Sequence, residues 1–492
     1  MSSPALSAVP AGESFLSTRR GKLTLAFLCM VGFLDFVDAS IVNVALPSIR
    51  RDLDFSLQNL QWILSGYLLT YGGFMLLGGR AADLLGRRRI LVAGIVVFAS
   101  SSLMGGVAQD PAMLVSARLV QGIGAAMMVP AALSILTTTF TEGRDRNTAL
   151  GAWGGIAGLA SALGVFLGGV LTEDLNWRWV FWVNLPVSVV LLVLTFRMVD
   201  GDRDTSRSRN FDALGALLVT AGMLLLVFAL VKAPDQGWGS GRTIGELAGA
   251  AALLLGFVVN EQLHENPLAP LSIFRVNGLG AANVTQVMAI GGFYTMFFLV
   301  TLYMQNVLGF SQLQAGSAYL PATAGIAISS GVASQLFHRI GTRPIIVAGA
   351  LIGAGGVYWL SRIPVHGSYL SDLLPGLLIM SFGLGFVFVG VNTAANAGVP
   401  EDKAGLAAAL INTSTWVGGA LGLAIFSVVA TTRTTHLLAQ GIASPTALDW
   451  GFHRALVACS VFIAAAAVIA LRATNTRGEP AERLELEPIP AQ

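Results

Sequence analysis

The sequence predicts an all-α integral membrane protein with about fourteen transmembrane helices. Of its 492 residues, 54% are hydrophobic and only 11% are charged, which is less than half the charged share usual for a soluble domain. Apolar runs of about 18 to 25 residues recur along the chain, and a helix needs this length to cross a bilayer. The sequence does not show the short alternating segments that are typical of an outer-membrane barrel.

The apolar runs supply the predicted helices, and polar stretches divide them into groups. The helices are predicted at 23–46, 58–79, 89–107, 111–138, 148–171, 178–199, 211–232, 243–260, 277–305, 314–337, 343–361, 370–398, 404–430 and 453–471. The predicted organisation is a tail at 1–22, an N-terminal six-helix bundle at 23–200, two accessory helices at 211–262, a C-terminal six-helix bundle at 275–472 and a tail at 473–492.

Positive charges lie mainly in alternate loops, and this predicts the orientation of the chain. With the N-terminus in the cytoplasm, the cytoplasmic segments hold 20 of the 29 Lys and Arg residues, and the external segments hold eight. Lys and Arg favour the cytoplasmic side of a membrane. We therefore expect a multi-pass protein of the cell membrane with both termini in the cytoplasm. The net charge of +2 suggests no nucleic-acid partner.

A faint internal repeat links the two predicted bundles. Gly86, in the loop after the second helix, and Gly341, in the loop after the tenth, stand 255 positions apart. Gly122 in the fourth helix and Gly383 in the twelfth stand 261 positions apart in similar surroundings. The two offsets predict two similar halves with the accessory helices inserted between them.

Several segments carry a family signature. They are Gly79-Arg80-Ala81-Ala82-Asp83-Leu84-Leu85-Gly86-Arg87-Arg88-Arg89, Arg118-Leu119-Val120-Gln121-Gly122-Ile123-Gly124-Ala125-Ala126, Asp38-Ala39-Ser40-Ile41-Val42-Asn43-Val44-Ala45-Leu46-Pro47, residues 177–186, and residues 303–305 with 308–311. With these segments the chain resembles the fourteen-span drug:proton antiporter family of the major facilitator superfamily. The resemblance covers nearly all of the chain and implies two six-helix bundles around a central cavity.

The resemblance also implies a function, which is the export of a small lipophilic drug or antibiotic in exchange for protons. The proton gradient would drive it without a cofactor or metal, since the sequence has no phosphate-binding loop and no histidine cluster. We expect a monomer that is not an enzyme.

One segment departs from the family pattern. The exporter motif of the fifth helix usually ends Gly-Pro-x-x-Gly-Gly, and here Gly164, Gly168 and Gly169 remain while the proline is absent. Proton-coupled uptake of a nutrient is therefore an alternative, and a non-transporting receptor or assembly partner is another. The glycines themselves predict either a sliding surface or close helix packing.

Asp38 and Arg118 are the predicted proton-coupling pair. Arg118 is the only Lys or Arg well inside a predicted span, and a buried charge there costs at least about 2.5–3.5 kcal/mol, so it needs a partner. Asp38 lies about 22 Å into the first helix, near the middle of a ~30 Å core. The resemblance implies that the first and fourth helices both line the cavity. A purely structural ion pair is the alternative.

Asp35 is a second carboxyl group in the first helix, three residues before Asp38 and on the same side. Low-dielectric surroundings disfavour an unpaired carboxylate. Asp35 would therefore stay protonated, or would ionise when a cationic substrate becomes its partner, and the second outcome predicts a preference for lipophilic cations. In the alternative, Asp35 only hydrogen-bonds to a neighbouring helix.

Other polar and aromatic side chains in the spans are candidates for contact with the substrate. They are Asn43, Gln121, Tyr303, Gln305 and Trp416. Each of them is equally suited to bonding or packing against a neighbouring helix.

The loop after the second helix is predicted to act as a conformational latch. Gly86 permits backbone angles that other residues resist, and Asp83 can pair with an arginine or cap a helix N-terminus. Such a contact can hold one conformation and release in another. Gly79, Arg87 and Arg88 complete the candidate latch. In the alternative, the arginines only set the topology.

Overall fold

We describe a computed structural model of the chain. It describes residues 15–140, 144–199, 212–264, 267–268, 271–399 and 404–477, and within these ranges the regular structure is helical throughout. The long helices are α1 (Arg19–Asp52), α2 (Trp62–Leu85), α3 (Arg87–Gly106), α4 (Pro111–Thr139), α5 (Arg144–Asp174), α6 (Asn184–Met198), α7 (Ala213–Gln236), α8 (Gly241–Leu263), α9 (Leu279–Asn306), α10 (Leu320–Ile340), α11 (Thr342–Leu360), α12 (Leu374–Asn396), α13 (Ala404–Ala439) and α14 (Ser444–Ala470). Short helices at Leu57–Leu60, Trp179–Trp182 and Gln312–Ala318 lead into α2, α6 and α10.

These helices have the length and composition of membrane spans. Among the described residues, 13 helices are long and apolar enough to cross a membrane, and they include every long helix except α5. The α5 helix has 31 residues, some of whose side chains lie outside the described set. The predicted fold class, an all-α integral membrane protein, is confirmed.

Two predicted helix boundaries were wrong by about nine residues. The α13 helix continues to Ala439, whereas its end was predicted at 430, and α14 begins at Ser444, whereas its start was predicted at 453. The predictions followed the apolar runs, but polar residues extend both helices. In α13, the hydroxyls of Thr431 and Thr434 donate to main-chain carbonyls one turn earlier, so that these side chains are satisfied within the helix.

The long helices form two bundles and a separate pair. Helices α1–α6 pack together as the N-bundle, and α9–α14 pack together as the C-bundle. Helices α7 and α8 pack against each other, and α7 also contacts α2 of the N-bundle and α13 of the C-bundle. The pair therefore lies along the seam between the bundles, with most of α8 exposed on the outside.

The two bundles repeat one helix–helix contact. In the N-bundle, a Cβ atom added to Gly124 would lie 2.6 Å from the backbone nitrogen of Phe98, and in the C-bundle one on Gly383 would lie 2.2 Å from that of Gly353. Phe98 and Gly353 are 255 positions apart, the same offset as the two loop glycines, but Gly124 and Gly383 are 259 apart. The expected match of Gly122 with Gly383 was therefore wrong by two residues, because a Gly-x-Gly pattern also matches itself after a shift of two.

Two hydrogen bonds join the N-bundle and the C-bundle near one end. We call the end that holds the start of α1 and the α2–α3 junction the arginine-rich side, and the other end the opposite side. Towards the opposite side, Gln305 Nε2 donates to the carbonyl of Val44 at 2.9 Å. Nearby, Gln312 Nε2 donates to Ser48 Oγ at 2.9 Å. These bonds join α1 to the C-bundle.

Candidate functional site

Asp38 and Arg118 form a buried ion pair in the core of the N-bundle. Arg118 Nη1 lies 2.7 Å from Asp38 Oδ2, and both side chains are almost completely buried. Asp38 comes from the middle of α1 and Arg118 from the first half of α4. The structure therefore brings together the two residues that were paired from the sequence, while their role in proton coupling stays a prediction.

The Asp38 carboxylate accepts further hydrogen bonds from two amides. Gln121 Nε2 and Asn184 Nδ2 donate to Asp38 Oδ1 at 2.8 and 2.7 Å. Gln121 lies one turn after Arg118 on α4, and its Oε1 accepts from Arg118 Nη1 at 2.7 Å. Because an ionised carboxylate acts only as an acceptor, this ring of donors matches the charged form of Asp38.

The Arg118 guanidinium group is enclosed by helix backbone and aromatic rings. Its Nε donates to the carbonyl of Ile63 at 3.0 Å. Its Cζ atom lies 4.2 Å from the centroid of the Tyr67 ring and 5.9 Å from that of Phe181. Such cation–π contacts stabilise a cation that has lost its water. The site can therefore hold both charges away from solvent while they remain paired.

Sequence reasoning missed two members of this cluster. Asn184 was inside a family-like segment, residues 177–186, but it was given no role there, although an amide in an apolar run was an available signal. Ser102 Oγ accepts from Asn184 Nδ2 at 2.9 Å and donates to the carbonyl of Phe181 at 2.9 Å. A serine in an apolar helix usually bonds to its own backbone, so the sequence carried no signal for Ser102.

Asp35 is fully buried against α2, where two tyrosines bind its carboxylate. Tyr67 Oη donates to Asp35 Oδ1 at 2.7 Å, and Tyr71 Oη donates to Asp35 Oδ2 at 2.9 Å. The Tyr71 ring stacks on Trp416 of the C-bundle, with ring centroids 4.4 Å apart and an angle of 24° between the planes. The Tyr71 side chain thus lies between Asp35 and the contact between the bundles. The role of Asp35 towards a substrate stays a prediction.

The remaining candidates for substrate contact are not gathered into one site. Gln121 belongs to the ion-pair cluster, and Gln305 belongs to the contact between the bundles. Tyr303 Oη donates to the carbonyl of Pro364 at 2.6 Å, within the C-bundle. Asn43 Oδ1 is buried and has no hydrogen-bond partner among the described residues.

The α2–α3 junction has the backbone geometry that was expected of it. Gly86 separates the two helices with φ 105° and ψ 127°, angles that side chains resist. Gly79 is in α2, where an added Cβ atom would lie 3.6 Å from Pro130, an ordinary contact distance. The side chain of Asp83 lies outside the described residues, so the proposed latch stays a prediction.

Two of the three arginines that follow Gly86 contact helices of their own bundle. Arg87 Nη1 donates to Thr138 Oγ1 on α4 at 2.7 Å. Arg88 Nη2 donates to the carbonyl of Phe196 on α6 at 3.3 Å, and its Cζ atom lies 5.1 Å from the Phe196 ring centroid. These contacts tie the junction to the arginine-rich side of the N-bundle.

The predicted α5 glycines divide between two different contacts. Gly164 and Gly168 face α1 of the same bundle, and an added Cβ atom on Gly168 would lie 2.4 Å from the carbonyl oxygen of Ile41. Gly169 instead faces the C-bundle, where an added Cβ atom would lie 2.8 Å from the carbonyl oxygen of Gln312. Gly164 and Gly168 therefore allow close packing within the N-bundle, whereas Gly169 lies on the surface between the bundles.

Long apolar helices in two related bundles, with a charged pair buried inside one of them, define a multi-pass membrane protein of the transporter class. Comparison with known families agrees with this class. The model of the Major Facilitator Superfamily matches residues 28–423, and the chain belongs to this family. The resemblance that was based on the sequence motifs is confirmed at this level.

The chain is similar along most of its length to an antibiotic export protein and an antibiotic resistance protein. It is 38% identical over 455 residues to the cephamycin export protein of Amycolatopsis lactamdurans, with 92% of each chain covered. It is 36% identical over 465 residues to the puromycin resistance protein of Streptomyces alboniger, with 93% of this chain and 92% of that protein covered.

A solved structure supports the fold. The chain resembles a bacterial homologue of the human lysosomal transporter Spinster in an inward-facing, unoccupied conformation, with a TM-score of 0.67 at 16% identity. The match covers 96% of this chain and 100% of that one. At this identity the likeness shows the fold alone.

Proposed function

We propose that this protein exports small lipophilic compounds of the drug or antibiotic class in exchange for protons, by alternating access. The similarity to a cephamycin export protein and to a puromycin resistance protein supports the class of compound and the direction of transport. The observation that carries the proton coupling is the buried pair of Asp38 and Arg118, since ionisable groups inside a membrane protein commonly mark proton pathways.

In this proposal, the Asp38 carboxylate carries the proton. The charged form is stabilised by Arg118 and by the amides of Gln121 and Asn184. When Asp38 binds a proton, it loses its charge, and Arg118 is left buried without a counter-ion. That state is costly, so it favours a rearrangement in which Arg118 meets water or another anion. The proton gradient supplies the energy, and no cofactor takes part.

The proposal includes an orientation. With both termini in the cytoplasm, as the distribution of positive charges favours, the bonds of Gln305 and Gln312 to α1 lie on the external half of the membrane. The bundles are then joined externally, and we assign this arrangement to the inward-facing state of the proposed cycle. In this state the protein, acting as a monomer, would take its substrate from the cytoplasm.

Transport by the purified full-length protein in proteoliposomes tests the proposal. Ethidium and puromycin serve as probes, and an imposed pH gradient is the only energy source. We expect gradient-driven movement of at least one probe against its concentration gradient, in the direction opposite to the protons. Asp38→Asn and Arg118→Ala should abolish uphill movement, whereas Asp235→Asn, which changes an exposed carboxylate on α7, should retain it.

The assay separates the alternatives. Movement of a probe in the same direction as the protons would indicate uptake. A failure of the pH gradient to move either probe would contradict proton-driven transport of these compounds. If Asp38→Asn still drives uphill transport, then Asp38 is not the proton carrier.

A further inference from the structure

The two oxygens of Asp35 are bound to two tyrosines whose nearest further contacts differ. The Tyr67 ring lies against Arg118 and meets Trp416 only edge-on at 6.5 Å, whereas the Tyr71 ring stacks on Trp416. Tyr67 binds Oδ1 and Tyr71 binds Oδ2, and the two tyrosines stand one turn apart on α2. Asp35 has no exposed surface. Both of its carboxylate oxygens are bound by these hydroxyls, so that the two tyrosines are the groups that respond most directly to its charge.

Tyr67 connects Asp35 to the ion pair. While its hydroxyl binds Asp35, its ring lies 4.2 Å from the Arg118 guanidinium carbon. The position of the Tyr67 ring therefore depends on both groups. Asp35 and the pair of Asp38 and Arg118 share this one side chain.

Tyr71 connects Asp35 to the C-bundle. Its ring stacks on Trp416 of α13, in a region where α2 and α13 are in close contact. An added Cβ atom on Gly72 would lie 3.1 Å from Trp416 Cβ, and one on Gly419 would lie 3.3 Å from Leu68. Glycines thus let the two helices meet, and the stacked rings fill the contact between the bundles.

We propose that Asp35 and Tyr71 form a positioning pair that controls how tightly the N-bundle and the C-bundle are joined at α2 and α13. An ionised Asp35 accepts both hydroxyl hydrogen bonds, and these charge-assisted bonds hold the Tyr71 ring flat on Trp416. When Asp35 gains a proton, one of its oxygens becomes a donor, and a tyrosine loses its strong acceptor. The ring is then free to turn, and the contact loosens.

This inference rests on the proposed function, because the proton or a cationic substrate supplies the trigger. It assigns to Asp35 a task that differs from carrying the transported proton, since Asp35 acts on the interface through Tyr71. Protonation of Asp35 would also shift the Tyr67 ring, which contacts Arg118. Both carboxyl groups of α1, Asp35 and Asp38, would then act on the conformational equilibrium together.

Distances between spin labels on the opposite side test the proposal. We would replace Leu175 of the N-bundle and Leu438 of the C-bundle, which are 54% and 45% exposed, by labelled cysteines. The two native cysteines, Cys29 and Cys459, would be changed to alanine. Double electron–electron resonance on the full chain in lipid nanodiscs then gives the ratio of separated to joined bundles, without substrate or gradient.

We expect Tyr71→Phe to raise the ratio of separated to joined bundles by on the order of threefold to tenfold, because a ring that is no longer held by Asp35 loses much of the stacking energy of the aromatic pair. Asp35→Asn should raise it at least as much, and Tyr71→Phe should add no further change in the Asp35→Asn background. Tyr319→Phe is the matched control, because the Tyr319 hydroxyl is buried but bonds to Thr301 and Phe297 within the C-bundle.

Two results would overturn the proposal. One is a wild-type ratio in Tyr71→Phe, and the other is full additivity of Tyr71→Phe and Asp35→Asn. A purely structural role would lower the melting temperature without changing the ratio. As a second pair of variants, Trp416→Phe should keep the joined state and Trp416→Leu should lose it. Because no transport is measured, failure of the proposed function would appear in the proteoliposome assay alone.

Discussion

At the scale of single residues, Asp38 has more donors than an ion pair needs. Beyond the guanidinium group, its carboxylate accepts from Gln121 and Asn184. Buried carboxylates depend on such bonds, because removing one partner leaves a desolvated acceptor. Asn184, which anchors this arrangement from the first turn of α6, should therefore matter for transport although it carries no charge.

Asn184→Ala should reduce proton-driven transport by on the order of tenfold, since the lost bond to a charged group contributes about 1.5–3 kcal/mol. The initial rate of ethidium movement in proteoliposomes measures this effect. Asn392→Ala is the control, because Asn392 Nδ2 donates to the carbonyl of Phe388 in its own helix. Equal rates for the two variants would show that Asn184 has no part in coupling.

Gly86→Ala should destabilise the protein, because a side chain at φ 105° is strained by roughly 1–3 kcal/mol. Its melting temperature in detergent should fall by several degrees. Gly79→Ala, in the same sequence motif, should leave it nearly unchanged because the new methyl group meets Pro130 at an ordinary distance. The reverse order of the two melting temperatures would contradict this account of the junction.

The pair of Asp38 and Arg118 was predictable because a charge inside a membrane span demands a partner and few anions were available. The other contacts of the cluster were not. Whether Tyr67 faces Asp35, or Ser102 faces Asn184, depends on the rotation of each helix about its own axis, and an apolar run does not specify that rotation when both lipid and protein accept apolar side chains.

At the scale of helices, small residues decide where the helices approach. Gly168 touches α1 within the N-bundle, and its neighbour Gly169 touches the C-bundle. Sequence alone could place both on α5, yet it could not say which partner each one meets. The same limit explains the shift of two residues in the repeat. Only one glycine of a Gly-x-Gly pattern makes the close contact, and the sequence does not show which one.

These neighbouring glycines should respond differently to the same substitution. Gly168→Ala would push against the Ile41 carbonyl, which belongs to a bundle core, so the melting temperature should fall. Gly169→Ala would push against Gln312 across the interface, so the ratio of separated to joined bundles should rise on the opposite side. Spin-label distances and thermal denaturation of both variants check this division, which fails if the two variants behave alike.

At the scale of the whole molecule, we predict that both ends of the chain lie on the same side of the membrane, because the described residues contain an even number of long helices, fourteen. Reporter fusions after Arg209 and after Glu482 should both give a cytoplasmic signal, and a fusion after Gly239 should give an external one. A cytoplasmic alkaline-phosphatase result at Gly239, or an external result at either of the others, would contradict the orientation. The basis is the distribution of 20 and eight positive charges between alternate loops.

Two hydrogen bonds attach the accessory helices to the N-bundle. Near the end of α7, the carbonyl of Val231 accepts from Gln58 Nε2, and Lys232 Nζ donates to Asn59 Oδ1 at 3.2 Å. Gln58 and Asn59 belong to the short helix that leads into α2. The end of α7 is thus hydrogen-bonded to the N-bundle. The turn at 237–240 follows directly, and its Trp238 is exposed. A compact domain inserted at this turn would give a 51.4 kDa membrane protein a fiducial marker for electron microscopy, and its tilt from particle to particle would record the movement of the N-bundle.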